Sequence, residues 1–463
     1  MTNVLVLLTI SFLLSFVLPR SWHVAITTAL SSVSFQPMSP AAPAGSVWAA
    51  GGFLKAGGNF IRVVFSAPGI LLILLMTAQL VAVFWSPASP PYAVVIFSTF
   101  GIIACTAAFM ANSRDLYATL RLIMASVSPI LILQAAATIL FLIDPSLEEQ
   151  YLRSPLAELF MGDAASRLYT DLPNNVTDPF KSGGLFFVNG NRASMYLGVA
   201  AMLVFAVAVK YKRARYWVLG FFLIAGALFT FSKTAVILSV LTFAVALVSP
   251  AILSRGSSAG RFMFGIGLLG GLSIVALYVL ATTDDFTEAS ETASASRLVL
   301  WKYAIRALAD SPILGLGWGG WARYWAGPAD SLRMSPGFPP HNFILETWTD
   351  SGLVAVIIII ALCLYAIVRL LLHIRYAGSL SNARPVAFVA AALIWMVMHG
   401  MYDNTSFYGS PNTLPFFSFV LAFVLNPIPS HLGVDTKVHR SRTPSSFFPG
   451  FLSWRDVPLE EDR

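Results

Sequence analysis

The segment GFPPHNFILETWTDSGL (337–353) sets His341 after two prolines that hold it in an extended approach. Asn342 through Trp348 follow, with the composition of a helix leading into a long apolar run. A histidine exchanges a proton near neutral pH, although a lone one is more often a loop residue or a helix cap. Upstream, ASASRLVLWKYAIRALADSPILGLGWGGW (293–321) reads as a helix that stops at Pro312. Arg297, Trp301, Ile305 and Leu308 recur on one face, with Lys302 and Arg306 on another. This is the pattern of an amphipathic helix lying on a membrane surface or on a helical bundle. Taken alone, Arg297 reads as a headgroup contact and the tryptophans as an aromatic belt. Gly315, Gly317, Gly319 and Gly320 are interleaved with Trp318 and Trp321, so the backbone there can turn tightly or approach a ligand. A phosphate-binding P-loop is excluded, because no Gly-Lys-Ser/Thr ending follows.

Other candidate groups are sparse. Asn191 and Arg192 stand at the start of one apolar run and Lys233 at the start of another, where snorkelling to the interface is the ordinary use of a cation. His399 and Asp403 have the spacing that places two residues on one helix face, as a structural pair or as support for a site. Cys105 and Cys363 lie in separate apolar runs with no Cys-x-x-Cys pattern, so they read as packing residues. Asp284-Asp285 is adjacent rather than spaced and reads as a solvated turn. No metal site and no cofactor are expected.

The elements that must carry these groups follow from composition. The chain is 57% hydrophobic and 11% charged, with a mean hydropathy of +0.75. Soluble domains carry about 25% charged residues, so the apolar surface must face lipid. The expected fold is an all-α integral membrane protein of 11–12 spans. The clear runs lie near 66–86, 92–111, 117–143, 192–209, 215–231, 234–253, 261–282, 352–374, 386–402 and 411–427. One or two more fall in the first 35 residues, the first being read as a retained helix rather than a cleaved signal. The runs are continuous rather than alternating, which argues against a barrel.

Net charge is +7, but the basic residues cluster in short loops, so membrane topology explains them and no nucleic-acid partner is implied. Lys55, Arg62, Arg114, Arg121, Lys210, Lys212, Arg213, Arg215, Arg255, Arg261, Arg369, Arg375 and Arg384 mark the cytoplasmic side. The acid-rich segments 144–191 and 283–351 are then extracytoplasmic loops of one polytopic domain, 1–427. The tail 428–463 is expected in the cytoplasm without a fixed fold.

The order Arg297-x3-Trp301, Pro312 with Leu314-Gly315-x-Gly317, His341-Asn342, then Gly352 at the start of a span resembles the O-antigen ligase and polysaccharide polymerase superfamily of membrane glycosyltransferases. FTFSKTAVILS (229–239) is similar to that family's Ser-Arg element, with Lys233 in place of the arginine. Lysine keeps the charge and loses the bidentate fork. GGLFFVNGNRASMYLG (183–198) is similar to its Asn-rich element.

The resemblance implies a GT-C-like helical bundle in the cell inner membrane, with its active site on the periplasmic face. It implies a metal-independent enzyme that transfers or polymerises glycan from an undecaprenyl-diphosphate donor to a sugar hydroxyl. The acceptor would be lipid A–core or another lipid-linked glycan. His341 would take the acceptor's proton, and Arg297, Arg192 and Lys233 would stabilise the leaving diphosphate. Asn342 would orient His341 or bind sugar, and Trp301, Trp318 and Trp321 would stack on sugar rings or serve packing. His399 and Asp403 would support the site. Other envelope polysaccharide assembly proteins are the implied partners. A polysaccharide or lipid transporter and a non-catalytic scaffold remain the alternatives. Against transport stand the lack of a visible internal repeat and span centres free of charge.

Overall fold

The computed structural model describes residues 2–33, 44–89, 92–161, 165, 181–253, 284–403, 405 and 412–428. The tail expected over 428–463 falls, beyond its first residue, outside them, as does the span expected at 261–282. The described part lies within one compact unit, Met1–Pro429. It is helical throughout, with no strand among the described residues.

Seven of the described helices are long and apolar enough to cross a bilayer: Ala67–Trp85, Val94–Asn112, Leu116–Ile143, Gly190–Tyr211, Lys233–Leu253, Phe343–Arg375 and Leu380–Tyr402. Leu5–Val17, Ala214–Leu228 and Leu414–Val424 are shorter apolar helices. The chain is a multi-pass, all-α membrane protein. Its surface agrees: Val354, Ile357, Leu364 and Val368 form an exposed apolar stripe along one helix, a face that only lipid tolerates.

Gly190–Tyr211 is the central helix, buried from Ala193 to Ala208 and packed against Leu116–Ile143, Ala214–Leu228, Lys233–Leu253 and Leu380–Tyr402. Small residues permit this close approach. A Cβ on Gly198 would lie 2.0 Å from the Trp395 ring, and one on Gly220 would lie 2.4 Å from Phe205.

Two elements differ from the sequence expectation. Residues 44–64, read as a basic loop, form the short helices Ala44–Gly51, Phe53–Ala56 and Gly58–Val64, the first of them almost wholly buried. Gly51, Gly52, Gly57 and Gly58 punctuate the segment, so no apolar run is long enough to announce it. The span expected to start at Gly352 starts at Phe343, and Gly352 (φ 83°, ψ 177°) breaks the helix inside.

That break is filled by another part of the chain. In an unbroken helix the Leu353 N–H would donate to the Thr349 carbonyl. Here Leu353 N–H donates to the Ile313 carbonyl (2.8 Å), and the Thr349 carbonyl accepts from Leu316 N–H (2.7 Å). The Trp348 indole N–H donates to the Pro312 carbonyl (2.6 Å). The 312–316 loop is thus inserted into the helix's hydrogen-bond ladder. A Cβ on Gly315 would lie 2.2 Å from the Trp348 carbonyl oxygen, so this glycine serves approach to a neighbouring backbone rather than to a ligand.

Candidate active site

Asn342 starts the helix that carries the site. Its Oδ1 accepts from Ile344 N–H (3.0 Å) and Leu345 N–H (3.2 Å), an N-cap that satisfies two donors with no partner inside the helix. The carbonyl half of Asn342 is therefore committed to the helix, and only its amide nitrogen remains for a substrate. Immediately before it, His341 is left-handed (φ 50°), a conformation more open to histidine than to most residues. This turn follows Pro339-Pro340 and brings the imidazole to Asp403.

His341 Nδ1 stands 3.3 Å from Asp403 Oδ1. His341 keeps a fifth of its side chain exposed, whereas the Asp403 side chain is nearly buried. Burial alone would raise the Asp403 carboxyl. The hydrogen bond from His341, with the electrostatic influence of His399 and of the Arg297 cation, outweighs it and holds the carboxyl down to about 2. An ionised carboxylate only accepts, so Nδ1 carries a proton, and in the neutral imidazole Nε2 then keeps its lone pair for another partner.

The expected helical pairing of His399 with Asp403 does not occur. The helix ends at Tyr402, and Asp403 is extended (φ −146°, ψ 167°), which turns its carboxylate out to His341. His399 stays inside. Ser194 Oγ donates to the Asn191 carbonyl (2.8 Å), so it faces His399 Nε2 (3.0 Å) as an acceptor. Nε2 then carries the proton, and Nδ1 accepts from the Thr405 hydroxyl (2.7 Å). This chain ties the end of Leu380–Tyr402, and so Asp403, to the first turn of Gly190–Tyr211, where Arg192 sits.

Arg192 is positioned by what precedes it. Asn189 Oδ1 caps the helix through Asn191 N–H (2.7 Å). Residues 183–186 are held by Gln134, which donates to the Gly183 carbonyl (2.8 Å) and accepts from Phe186 N–H (2.9 Å). Glu148 accepts from Gly183 N–H (2.8 Å). Burial pushes the Glu148 carboxyl above its usual range, against the pull of hydrogen bonds from Gly183, Ser182 and Gly184. The charge of Arg192 reaches Glu346, one turn after Asn342, and Glu346 also feels Asp403. Glu346 escaped the sequence reading, although its four-residue offset from Asn342 was a usable signal.

Arg297 is half-buried on Asp284–Ala309, and its charge reaches both Asp403 and His399. The buried face of this helix is Leu300, Ala304, Ala307 and Leu308. Ile305, expected beside Trp301, is exposed with Leu298, Lys302 and Arg306. One residue of helix phase separates the two faces, and the anchor proved to be Leu300 packed with Trp321 and Trp325. Trp301 packs on Tyr402, ring centroids 6.2 Å apart. Its buried indole N–H has no hydrogen-bond partner among the described residues.

Lys233 opens the helix Lys233–Leu253. The turn before it approaches the start of the Arg192 helix so closely that a Cβ on Gly190 would lie 2.8 Å from the Thr230 carbonyl oxygen. Trp318 and Trp321 do not face this cluster. The Trp318 indole donates to the Gln79 carbonyl (2.9 Å) and the Trp321 indole to the Phe338 carbonyl (2.8 Å). Trp321 is stacked on Trp325 with ring planes 8° apart. Both serve packing.

The arrangement unites a histidine with a free Nε2, a buried carboxylate that fixes its tautomer, and cations within electrostatic reach. It suits proton removal beside a developing anion. A search of curated proteins returns no match. Residues 181–360 match the O-antigen ligase family, and the domain that supplies Arg192, Lys233, Arg297, Trp301, His341 and Asn342 therefore belongs to the O-antigen ligase superfamily.

Proposed function

We propose that this protein is a glycosyltransferase that moves glycan from an undecaprenyl-diphosphate donor to a sugar hydroxyl on the outer face of the inner membrane, as a ligase or a polymerase. The observation that carries the reading is the His341–Asp403 pair within electrostatic reach of Arg297, with His341 and Arg297 both inside the matched residues 181–360. The acceptor hydroxyl gives its proton to His341 Nε2, and its oxygen attacks the anomeric carbon of the donor. The bond from that carbon to the diphosphate oxygen breaks, and the diphosphate leaves with the electron pair. Arg297, Arg192 and Lys233 supply positive charge for that leaving group, Arg297 with the fork that suits phosphate. Fixed charges aimed at a developing anion supply a large share of the acceleration in such sites. Asp403 is a positioning residue, because it holds the tautomer and orientation of His341.

The scheme needs no metal. The test is transfer by purified protein, in EDTA, from lipid-linked glycan extracted from a strain lacking the protein. In that strain a ligase predicts long polymer left on the carrier lipid, and a polymerase predicts single repeat units. Absence of both intermediates, with normal surface glycan, would refute the reading.

A further inference from the structure

A second feature lies apart from the His341 cluster. The segment 85–88 runs alongside the 314–319 loop. The Trp85 indole donates to the Leu314 carbonyl (3.0 Å), Trp318 N–H donates to Ser86 Oγ (2.8 Å), and Ala88 N–H donates to the Trp318 carbonyl (3.1 Å). Gly317 and Gly319 make the approach feasible. A Cβ on the first would lie 2.7 Å from Ser86 Cα, and one on the second 2.7 Å from Ala88 Cβ. Between this strap and the helix Gly320–Ser331 lies an open cleft of about 480 Å³, lined by Trp85, Ser86, Pro87, Leu316, Gly320, Arg323 and Tyr324.

The volume falls within the about 300–1,000 Å³ typical of small-ligand sites. The lining is mixed: two half-buried aromatic side chains, Trp85 and Tyr324, and the exposed cation Arg323. No carboxylate pairs with Arg323 among the described residues. Aromatic faces beside a planar, multiply donating cation suit a sugar ring, which offers a C–H face to stack and hydroxyl or carboxylate oxygens to bind.

The cleft is also rigidly joined to the reaction centre. Its helix shares a core with the Arg297 helix through Trp321, Trp325, Leu300 and Ala304. Trp321 holds the carbonyl of Phe338, whose ring centroid lies 6.0 Å from that of His341.

We propose that this cleft is a glycan subsite that binds a sugar unit of the substrate chain remote from the reacting bond. The proposal rests on the glycan-transfer reading for the chemical class of its ligand. A single repeat unit engages the His341 cluster alone, whereas a longer chain gains the cleft as well.

The test uses the full chain in lipid nanodiscs and oligosaccharides released by mild acid from the cell's own surface polysaccharide, sorted into single and multiple repeat units. Binding is read by ligand-detected NMR for wild type, His341→Ala, Arg323→Ala and Tyr324→Leu. Loss of one stacking face or one charged donor should weaken binding of the longer oligosaccharides about tenfold. His341→Ala should leave intact the advantage of the longer oligosaccharides over a single repeat unit. A companion transfer assay varies donor and acceptor length separately. The KM that rises in Arg323→Ala identifies which chain occupies the cleft.

Unchanged binding in both cleft variants, or no binding by wild type, would overturn the subsite. Oligosaccharide binding without transfer by wild type would overturn the catalytic reading and leave the subsite standing. Melting of each variant in the same nanodiscs separates a lost contact from a lost fold.

Discussion

At the scale of single residues, the catalytic reading depends on one proton acceptor and its orienting carboxylate. His341→Gln keeps hydrogen bonding and removes the acceptor, so transfer should fall about 10²–10⁴-fold, the usual worth of general base catalysis. Assay of purified variant at matched expression checks this, and near-full activity would leave His341 as a substrate contact only. Asp403→Asn removes the charge that holds Nδ1–H, a loss of about ten- to a hundredfold in kcat, as for a hydrogen bond to a charged group. Its pH behaviour has a definite sign. A carboxyl depressed to about 2 favours the folded state above the ordinary carboxylate range, and that contribution disappears only as pH falls toward 2. Melting between pH 5 and 8 should therefore not move on account of Asp403. For Arg297, lysine should retain more activity than alanine, because the diphosphate needs charge first and fork geometry second. Equal rates for wild type and Arg297→Ala would reassign the residue to lipid anchoring. The residue types were legible in the sequence because chemistry restricts them. The His341–Asp403 contact was not, since it depends on where Leu380–Tyr402 ends and on an extended residue that a helical wheel assumes away.

Among the elements, the inserted loop at Gly352 explains why glycines recur at fixed places in this motif. Gly315 and Gly352 are both left-handed (φ 72° and 83°), and each backbone fills the space where a Cβ on the other segment would stand. Gly315→Ala pays the left-handed penalty of about 1–2 kcal/mol and meets the Trp348 carbonyl as well. It should lower the melting temperature in nanodiscs and displace the 343–351 turns that begin just after His341. Transfer and melting should fall together, in contrast to His341→Gln, where transfer alone falls. A Gly315→Ala protein with unchanged melting would show that the ladder tolerates a wider gap. The sequence displayed the glycines and the helix on either side of them, and most long helices lay near their expected places because apolar runs of this length have one use. It concealed the insertion, because hydrogen bonds between segments some 35 residues apart leave no periodic trace. It concealed the buried helix Ala44–Gly51 for a related reason: a short segment rich in alanine and glycine resembles a loop until its neighbours enclose it.

At the scale of the molecule, the two ends of the bundle differ in charge. Arg121 lies over Tyr211 (4.9 Å), Lys210 over Tyr117 (5.0 Å) and Arg215 over Tyr216 (5.0 Å). Tyr117 also packs on Phe423 (5.5 Å), and Arg369 and Arg62 donate to carbonyls at Val424, Leu425 and Asn426. These contacts gather the basic loops at one end. The His341 cluster is built where Gly190–Tyr211 and Phe343–Arg375 begin and Leu380–Tyr402 finishes, which is the opposite end. Lysine and arginine are retained on the cytoplasmic side, so the cluster should face outward. A protein with Cys105 and Cys363 replaced, carrying either Asp330→Cys or Ser381→Cys, tests this. Both positions are exposed. Position 330 belongs to the helix whose Trp325 holds the Ser335 carbonyl six residues before His341, and position 381 lies between Arg375 and Arg384. In intact cells a membrane-impermeant maleimide should label the first and spare the second, and both should react after lysis. Reversed labelling would put His341 and Arg297 on the cytoplasmic face. A donor glycan already moved to the outer leaflet would then be out of reach, and the glycosyl-transfer scheme would fail at its first step however well its residues are arranged.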